Sequence, residues 1–441
     1  MTDSSEGINS PTHPSGRPVY IIDGARTPFL KVRGKPGPFS PVDLAVLCGR
    51  PLLLRQMFPK NAIDQVILGC VNVLANEMNP ARIAALRLGM GETMRAFTVQ
   101  INCGSGMLSV DIGYRMIREG SRELILAGGT DSLSHAPVQF KQSAIEWLAD
   151  LRGAGSFKKR AQHFRDLHPT DFKPEIALQS GLTDPLAGLS MGETAEILAH
   201  LFSISRDEAD LFAINSHHRL AQAQKGGFLN GEIEPMISTE GELFDQDDGV
   251  RPDCSLASLA KLKPAFEKPF GQVTAGNSSQ VTDGASWVIL ASEAMVKKYA
   301  LNPRAVIIDS AWSAIDPEIM GLAPVMSIAA LLDQQVREFD KIDLWEINEA
   351  FASQVLACLK AFECAEFCRQ FLDCQSPLGR LNQDRLNVDG GAISLGHPVG
   401  ASGNRIVLHL VNALQRLNLK RGIASECIGG GQSGAMLIET I

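Results

Sequence analysis

The chain has 441 residues, 45% hydrophobic and 20% charged, a soluble globular balance with room for two or three units of ~100–200 residues. A formal charge of −8 argues against a nucleic-acid partner, whose affinity rests on neutralising phosphates, but leaves room for an anionic small molecule at a local basic patch. No run of ~18 or more apolar residues is present to span a membrane, and the nine cysteines are odd in number and scattered, unlike a disulfide framework.

Residues 1–18, "MTDSSEGINSPTHPSGRP", are polar and rich in Pro, Gly and Ser. They lack the apolar core of a secretion signal and the Arg-rich face of a transit peptide, and read as a disordered arm on a cytoplasmic protein. "VYIIDGARTPF" begins a strand at Val19 that breaks at Gly24. A second strand is expected around Val66–Val71 and a third at Glu123–Ala127. Between them, "GMLSVDIGYRMIREG" sets apolar residues at 107, 108, 112, 116 and 117, a helical period. Alternating strand and helix predict a layered α/β architecture with a largely parallel sheet.

Residues 139–270 break this rhythm and read as an inserted loop or lid between a first half (19–138, continued by about 271–295) and a second half (296–441). Within it, Ser205–Gly226 is a long helix whose capping box is Ser205 with Glu208. The second half repeats the earlier order. "RAVIIDSAWSA" is a strand, "KIDLWEINEAF" a strand turning into a helix, and "GNRIVLHLVNALQRL" a helix. "RGIASECIGGGQSGAMLIE" follows as a glycine-split strand pair. In each half a loop bearing one reactive residue opens a helix, and a strand ending in glycines follows, as in a duplicated unit. Cys358, Cys364, Cys368 and Cys374 crowd together, but their spacing matches no common zinc pattern, and "CLKAFECAEFC" reads as one helix, so no metal is expected.

Four positions carry candidate chemistry. Cys103, in "VQINCGSGMLSV", precedes glycines and a helix, whose N-terminal partial charge lowers a thiol pKa, although a buried cysteine is also ordinary packing. His397 stands alone among glycines in "NVDGGAISLGHPVGASG", where a glycine-rich turn is the plain alternative. Cys427 precedes three glycines whose turn exposes backbone amides, as an oxyanion site or a simple hairpin would. Asn348, in "WEINEAFAS", lies at a strand-to-helix junction and is equally placed to cap that helix.

Taken together, "GARTPF", "TAGNSSQVTDGASWVIL", "NEAFA", "GGAISLGHPVGASG" and "CIGGGQSGA" resemble the thiolase family, which degrades or builds β-ketoacyl-CoA esters, over nearly the whole chain. The resemblance implies a duplicated α-β-α-β-α fold and an acyltransferase with no tightly bound cofactor, coenzyme A being a substrate. It implies that Cys103 carries the acyl group as a thioester, that His397 takes the thiol proton, and that Cys427 is the second acid/base. Asn348 would orient a water that, with His397, holds the enolate oxygen, while the backbone N–H groups of Cys103 and Gly429 hold the tetrahedral oxyanion. Ser279 matches a family position near the pantetheine arm and Met191 one lining the pocket. Ser190 stands where the family often has a histidine.

The insertion "KQSAIEWLADLRGAGSFKKRAQHFRDLHP" looks like that of the β-subunits of fatty-acid β-oxidation complexes, though those often carry histidine at the position of Asn348. The expectation is therefore a 3-ketoacyl-CoA thiolase of broad chain length, with an acetoacetyl-CoA thiolase as the alternative. A decarboxylating ketoacyl synthase would need a second histidine in place of Cys427, and a non-catalytic lipid or CoA carrier would not need the reactive set. The resemblance further implies a homodimer or homotetramer, with a hydratase/dehydrogenase subunit as a conceivable partner. Arg152, Lys158, Lys159, Arg160 and Arg165 flank Ile145, Trp147, Leu148 and Leu151. Such a run is a solvated face first, and otherwise a CoA-phosphate patch or a peripheral contact with an anionic membrane.

Overall fold

β-branched and small residues build a ten-stranded mixed sheet. Its longer strands are β1 (Val19–Arg26), β2 (Gln65–Gly69), β3 (Ala96–Val99), β4 (Leu124–Ser132), β5 (Thr282–Ser292), β6 (Ala305–Ala314), β7 (Leu344–Ile347), β8 (Arg421–Ile428) and β9 (Gln432–Thr440). They lie in the order β7-β8-β9-β6-β1-β5-β4-β2-β3, and the two-residue strand Leu30–Lys31 pairs with β5. The structure, a computed structural model, describes residues 16–164, 168–335 and 338–441, so most of the expected N-terminal arm and Arg165 lie outside the described residues.

The sheet is not largely parallel, as the alternation of elements suggested. Parallel pairing is confined to β7 with β8 and to β2 with β3 and β4, the pairs joined by helical crossovers. β5 enters after the long 139–270 segment and β9 after a glycine turn, and both run antiparallel to their neighbours. Two strands also outrun their expected ends. At Gly128, which reads as a stop, an added Cβ would lie 2.2 Å from the Trp287 ring, so this glycine serves close packing against β5 rather than a turn. Gly24 likewise lies against Trp287 O, and β1 continues to Arg26.

The duplication is visible at residue level. β1 and β6 meet antiparallel at the centre, Val19 opposite Ile307 and Ile21 opposite Ala305. Each carries the tripeptide Ile-Ile-Asp, and each register shifts there, between Ile21 and Asp23 and between Ile307 and Asp309. Each aspartate then accepts the next backbone N–H, Gly24 N at 2.8 Å and Ser310 N at 2.9 Å.

Seven helices fix the layers: α1 (Pro41–Leu54), α2 (Ser105–Arg118), α3 (Met191–Leu201), α4 (Arg206–Lys225), α5 (Ala323–Gln334), α6 (Ala352–Glu363) and α7 (Val399–Arg416). α1 covers one outer face through Val42, Leu44 and Leu52 against Val66, Leu126 and Trp287. α5 and α6 cover the other through Val325, Ile328, Val355 and Phe362 against Ile347, Ile423 and Leu437. Leu198 of α3 and Ala213 and Ile214 of α4 join that second outer core. Between the two halves, Val110 and Ile117 of α2 and Ile406 and Leu410 of α7 pack with Ile125, Val288, Ile307 and Met436. The order is therefore helix, one half of the sheet, paired helices, the other half of the sheet, helix.

α4 begins at its Ser205/Glu208 capping box, at the boundary its sequence signals. The expected single helix over Cys358–Cys368 is instead α6 and a short helix Ala365–Phe371, broken at Cys364, whose backbone is extended (ψ 105°). Among the described residues no helix is long and apolar enough to cross a membrane.

What positions the site is the contact between the central helices at their starts. An added Cβ at Gly106 would lie 2.7 Å from Asn404 N and 2.9 Å from Gly400 O, so the helices touch backbone to backbone. Gly129 of β4 approaches just as closely, its Cβ position 1.9 Å from Gly400 O. The loops that lead into α2 and α7 are thereby held side by side, and these are the loops of Cys103 and His397.

Candidate active site

Asn102 takes a left-handed φ of 48° and turns the chain sharply just before Cys103. Ser105 holds the turn: its Oγ accepts Ile101 N–H at 2.9 Å and donates to Asn102 O at 2.7 Å. Asn102 Nδ2 donates to Gly429 O at 3.0 Å, tying the cysteine loop to the glycine turn between β8 and β9. That turn needs its glycines, Gly430 and Gly431 having φ of 93° and 80°.

The His397 loop is clamped from both sides. Asn387 bridges it to β7, donating to Ile347 O and to Glu349 Oε1, each at 2.9 Å. Glu349 is buried and also accepts from Ser216 Oγ at 2.6 Å and Ile393 N at 3.3 Å. From the other side, Gln280 O accepts His397 N–H at 3.0 Å, while Gln280 Nε2 donates to Ile393 O and Ser394 O.

His397 Nδ1 lies 2.6 Å from Ser402 Oγ, which itself donates to Pro398 O at 3.1 Å. With the serine proton donated to Pro398 O, Nδ1 carries the hydrogen that Ser402 accepts. Nε2 is then the lone-pair nitrogen, buried and, among the described residues, without a partner. The solitary histidine is thus a base with one nitrogen anchored and the other free.

Cys103, His397, Cys427, Gly429, Met191 and Ser279 all line one cavity of about 290 Å³. Cys427 is buried beside Met320 and Ala350, with Met191 and Phe351 packed against them. Asn348 is fully buried and is not on the cavity surface, although Ala350 is. Its side chain does not cap the helix: α6 starts at Ala352 with Phe351 as N-cap. Both Asn348 amide atoms are buried and, among the described residues, without a partner, which suits a side chain that binds a water or ligand atom. Ser190 caps α3 through a capping box with Glu193, which accounts for a serine there, and it does not line the cavity.

Electrostatics in the site differ from the local reading of Cys103. Burial, reinforced by the Glu426 carboxyl, pushes its thiol up to about 12. The backbone N–H groups of Gly429 and of Cys103 itself favour the thiolate and only partly oppose this. The helix N-terminus therefore loses to desolvation. Burial, then the Arg405 guanidinium, lowers His397 to about 4, so imidazole and thiol are both neutral at rest. Burial also raises the Cys427 thiol well above its ordinary value, with the neighbouring Cys103 adding to it. Two thiols, one free imidazole nitrogen and two inward-facing amides can form a thioester and move protons beside it.

Sequence reasoning missed several walls of the cavity: Asn72, Leu178, Leu182, Met320 and Val399. The apolar pair Leu178 and Leu182, four apart beside the short helix Ala177–Gly181, was a usable signal inside the insertion. Ser402 gave none, because a serine in a helix tells nothing of the ring five residues earlier. Among the described residues no group of three or more His, Cys, Asp or Glu could hold a metal ion.

The thiolase N-terminal domain model matches residues 19–294 and the thiolase C-terminal domain model residues 301–440. A probable acetyl-CoA acyltransferase of Staphylococcus aureus (strain N315) is 38% identical over 426 residues, 95% of this chain and 98% of that protein. Human mitochondrial 3-ketoacyl-CoA thiolase superposes with a TM-score of 0.83 at 36% identity, covering 96% of this chain and 99% of that one. Bacillus anthracis acetyl-CoA acetyltransferase does so at 0.84 and 32%, covering 97% and 100%. The duplicated fold, the paired loops on α2 and α7 and these matches over nearly the whole length lead to one conclusion: the chain belongs to the thiolase family and is an acyltransferase.

Proposed function

We propose that the protein cleaves 3-ketoacyl-CoA with coenzyme A, releasing acetyl-CoA and an acyl-CoA shortened by two carbons. The convergence of Cys103, His397 and Cys427 on one cavity carries this reading. His397 Nε2 takes the Cys103 proton as the sulfur attacks the 3-keto carbon. The oxyanion that forms is held by the N–H groups of Cys103 and Gly429, the pair that already favours negative charge on the sulfur. The bond between the second and third carbons then breaks, and its electron pair moves onto the CoA thioester as an enolate. His397, now carrying a proton on Nε2, and a water on Asn348 hold that enolate oxygen. The Cys427 thiol protonates the carbon, and acetyl-CoA leaves.

In the second half, Cys427 takes the proton of incoming coenzyme A, whose sulfur attacks the Cys103 thioester. The proton on His397 returns to Cys103. Ser279 and Met191, which both line the cavity, contact the pantetheine arm in this reading. One of the solved relatives, human mitochondrial 3-ketoacyl-CoA thiolase, is described in complex with CoA at a TM-score of 0.82 and 35% identity.

Acetoacetyl-CoA chemistry in the condensing direction is the second reading, favoured by the modest size of the cavity. A ladder of 3-ketoacyl-CoA lengths, assayed with free CoA, separates the two. Turnover extending beyond the four-carbon substrate supports the first, and turnover confined to it the second.

A further inference from the structure

We propose that Asp131 is a positioning residue of this acyl transfer: its carboxylate ties the loop carrying His397 to the adjoining 70–72 segment and so fixes where that loop sits in the cavity wall. The proposal rests on the acyltransfer reading above. Asp131 lies near the end of β4, fully buried. Its Oδ1 accepts Asn72 N–H at 2.7 Å and Val71 N–H at 3.2 Å, with the Cys70 thiol at 3.6 Å. Its Oδ2 accepts the N–H of Gly400, in the first turn of α7 just after His397. Val71, Asn72 and Val399 line the cavity, so one carboxylate holds two adjoining stretches of its wall together.

All of these partners are donors, and among the described residues Asp131 makes no ion pair. A buried carboxylate without a counter-ion is costly to keep, and a serine or asparagine would cap α7 at lower cost. Only a carboxylate offers two acceptor oxygens to two separate segments at once. An asparagine would turn its NH₂ towards either Gly400 N–H or the 71–72 amides, donor against donor. A Cβ at Gly400 would lie 2.8 Å from Asp131 Oδ2 and 2.7 Å from Thr130 O, so the carboxylate meets bare backbone there.

Two readouts go beyond mere folding. In Asp131→Asn, kcat should fall roughly 10- to 100-fold, as expected for a base displaced by a fraction of an ångström to an ångström, with KM changed less than about threefold. The second readout needs no variant. Burial holds Asp131 at about 6, opposed by its amide bonds, and His397 is held at about 4. The titratable groups facing Asp131 are the Cys70 thiol, beyond the end of β2, and the Cys103 thiol at the start of α2, while α7 presents a backbone N–H. As pH falls through 6 the carboxyl gains a proton that opposes one of its amide donors, so the acid limb of kcat should centre near 6. A limb near 4 in the wild-type protein overturns the proposal, and so does a soluble, folded Asp131→Asn with kcat within about twofold of wild type. If that variant does not fold, the wild-type limb alone decides. No turnover by the wild-type protein on any 3-ketoacyl-CoA would instead sink the acyltransfer reading, and the Asp131 role with it.

Discussion

Cys103 and His397 are both neutral at rest, and the reason lies in what the fold buries around them. The reactive residues were legible in the sequence because a cysteine and a histidine are conspicuous in glycine-rich loops that open helices. Their protonation was not, because the helix-terminus argument is local while burial and the Glu426 carboxyl arrive from β8, far along the chain. A consequence is open to test by alkylation. With the thiol near 12 and the imidazole near 4, no thiolate–imidazolium pair exists at neutral pH. The rate of Cys103 alkylation by iodoacetamide should rise about tenfold per pH unit from 7 to 10, as thiolate fraction dictates. A rate independent of pH over that range would show a preformed ion pair. His397 also leaves a mark on stability. Its folded value lies below the ordinary imidazole value of ~6.5, so between 4 and 6.5 the unfolded chain binds a proton that the folded chain refuses. The His397 contribution to stability therefore falls as pH drops through that window.

At the scale of elements, the sequence predicted best where the signal is local. The Ser205/Glu208 capping box placed the start of α4, and the Gly429–Gly431 run placed the hairpin of β8 and β9. It predicted worst where glycine serves contact between elements, as at Gly128 and Gly24, and where strand direction is set by partners far along the chain. Gly391 is of this contact kind. An added Cβ there would sit 2.3 Å from Glu349 Cδ, inside the clamp on the His397 loop. Gly391→Ala should destabilise the protein by about 1–3 kcal/mol in urea unfolding and lower kcat, since the carboxylate must move. Unchanged stability and kcat would mean that the clamp yields freely. The basic insertion makes the opposite case. Trp147 packs edge-on to Phe164 and Phe172 and donates to His163 O, whereas Lys158, Lys159 and Arg160 are exposed and none lines the cavity. Neutralising those three together should leave the KM for CoA and binding to anionic vesicles within about a factor of two, as for a solvated face. A raised, salt-dependent KM would make them a phosphate patch, and lost vesicle binding a membrane contact.

For the whole molecule, the duplication does the positioning. Two halves that meet at matching Ile-Ile-Asp bulges set α2 and α7 against each other, so that a cysteine and a histidine nearly 300 residues apart in the chain face one cavity. That pairing was readable as a repeated order of elements, but the central strand contact that enforces it was not, since it spans only Val19–Ile21 and Ala305–Ile307. β3 ends the sheet as an open edge with half-buried side chains, the kind of edge that pairs with another copy. Light scattering at micromolar concentration should give a particle of at least twice the chain mass, and a monomer would leave that edge unexplained. The most direct test of the account is the identity of the acylated residue. After brief incubation with 3-ketoacyl-CoA and no free CoA, mass spectrometry of the digested protein should find the acyl group on Cys103, and Cys103→Ser should lose both adduct and turnover. An adduct on Cys427 instead, with Cys103→Ser still turning over, would contradict it.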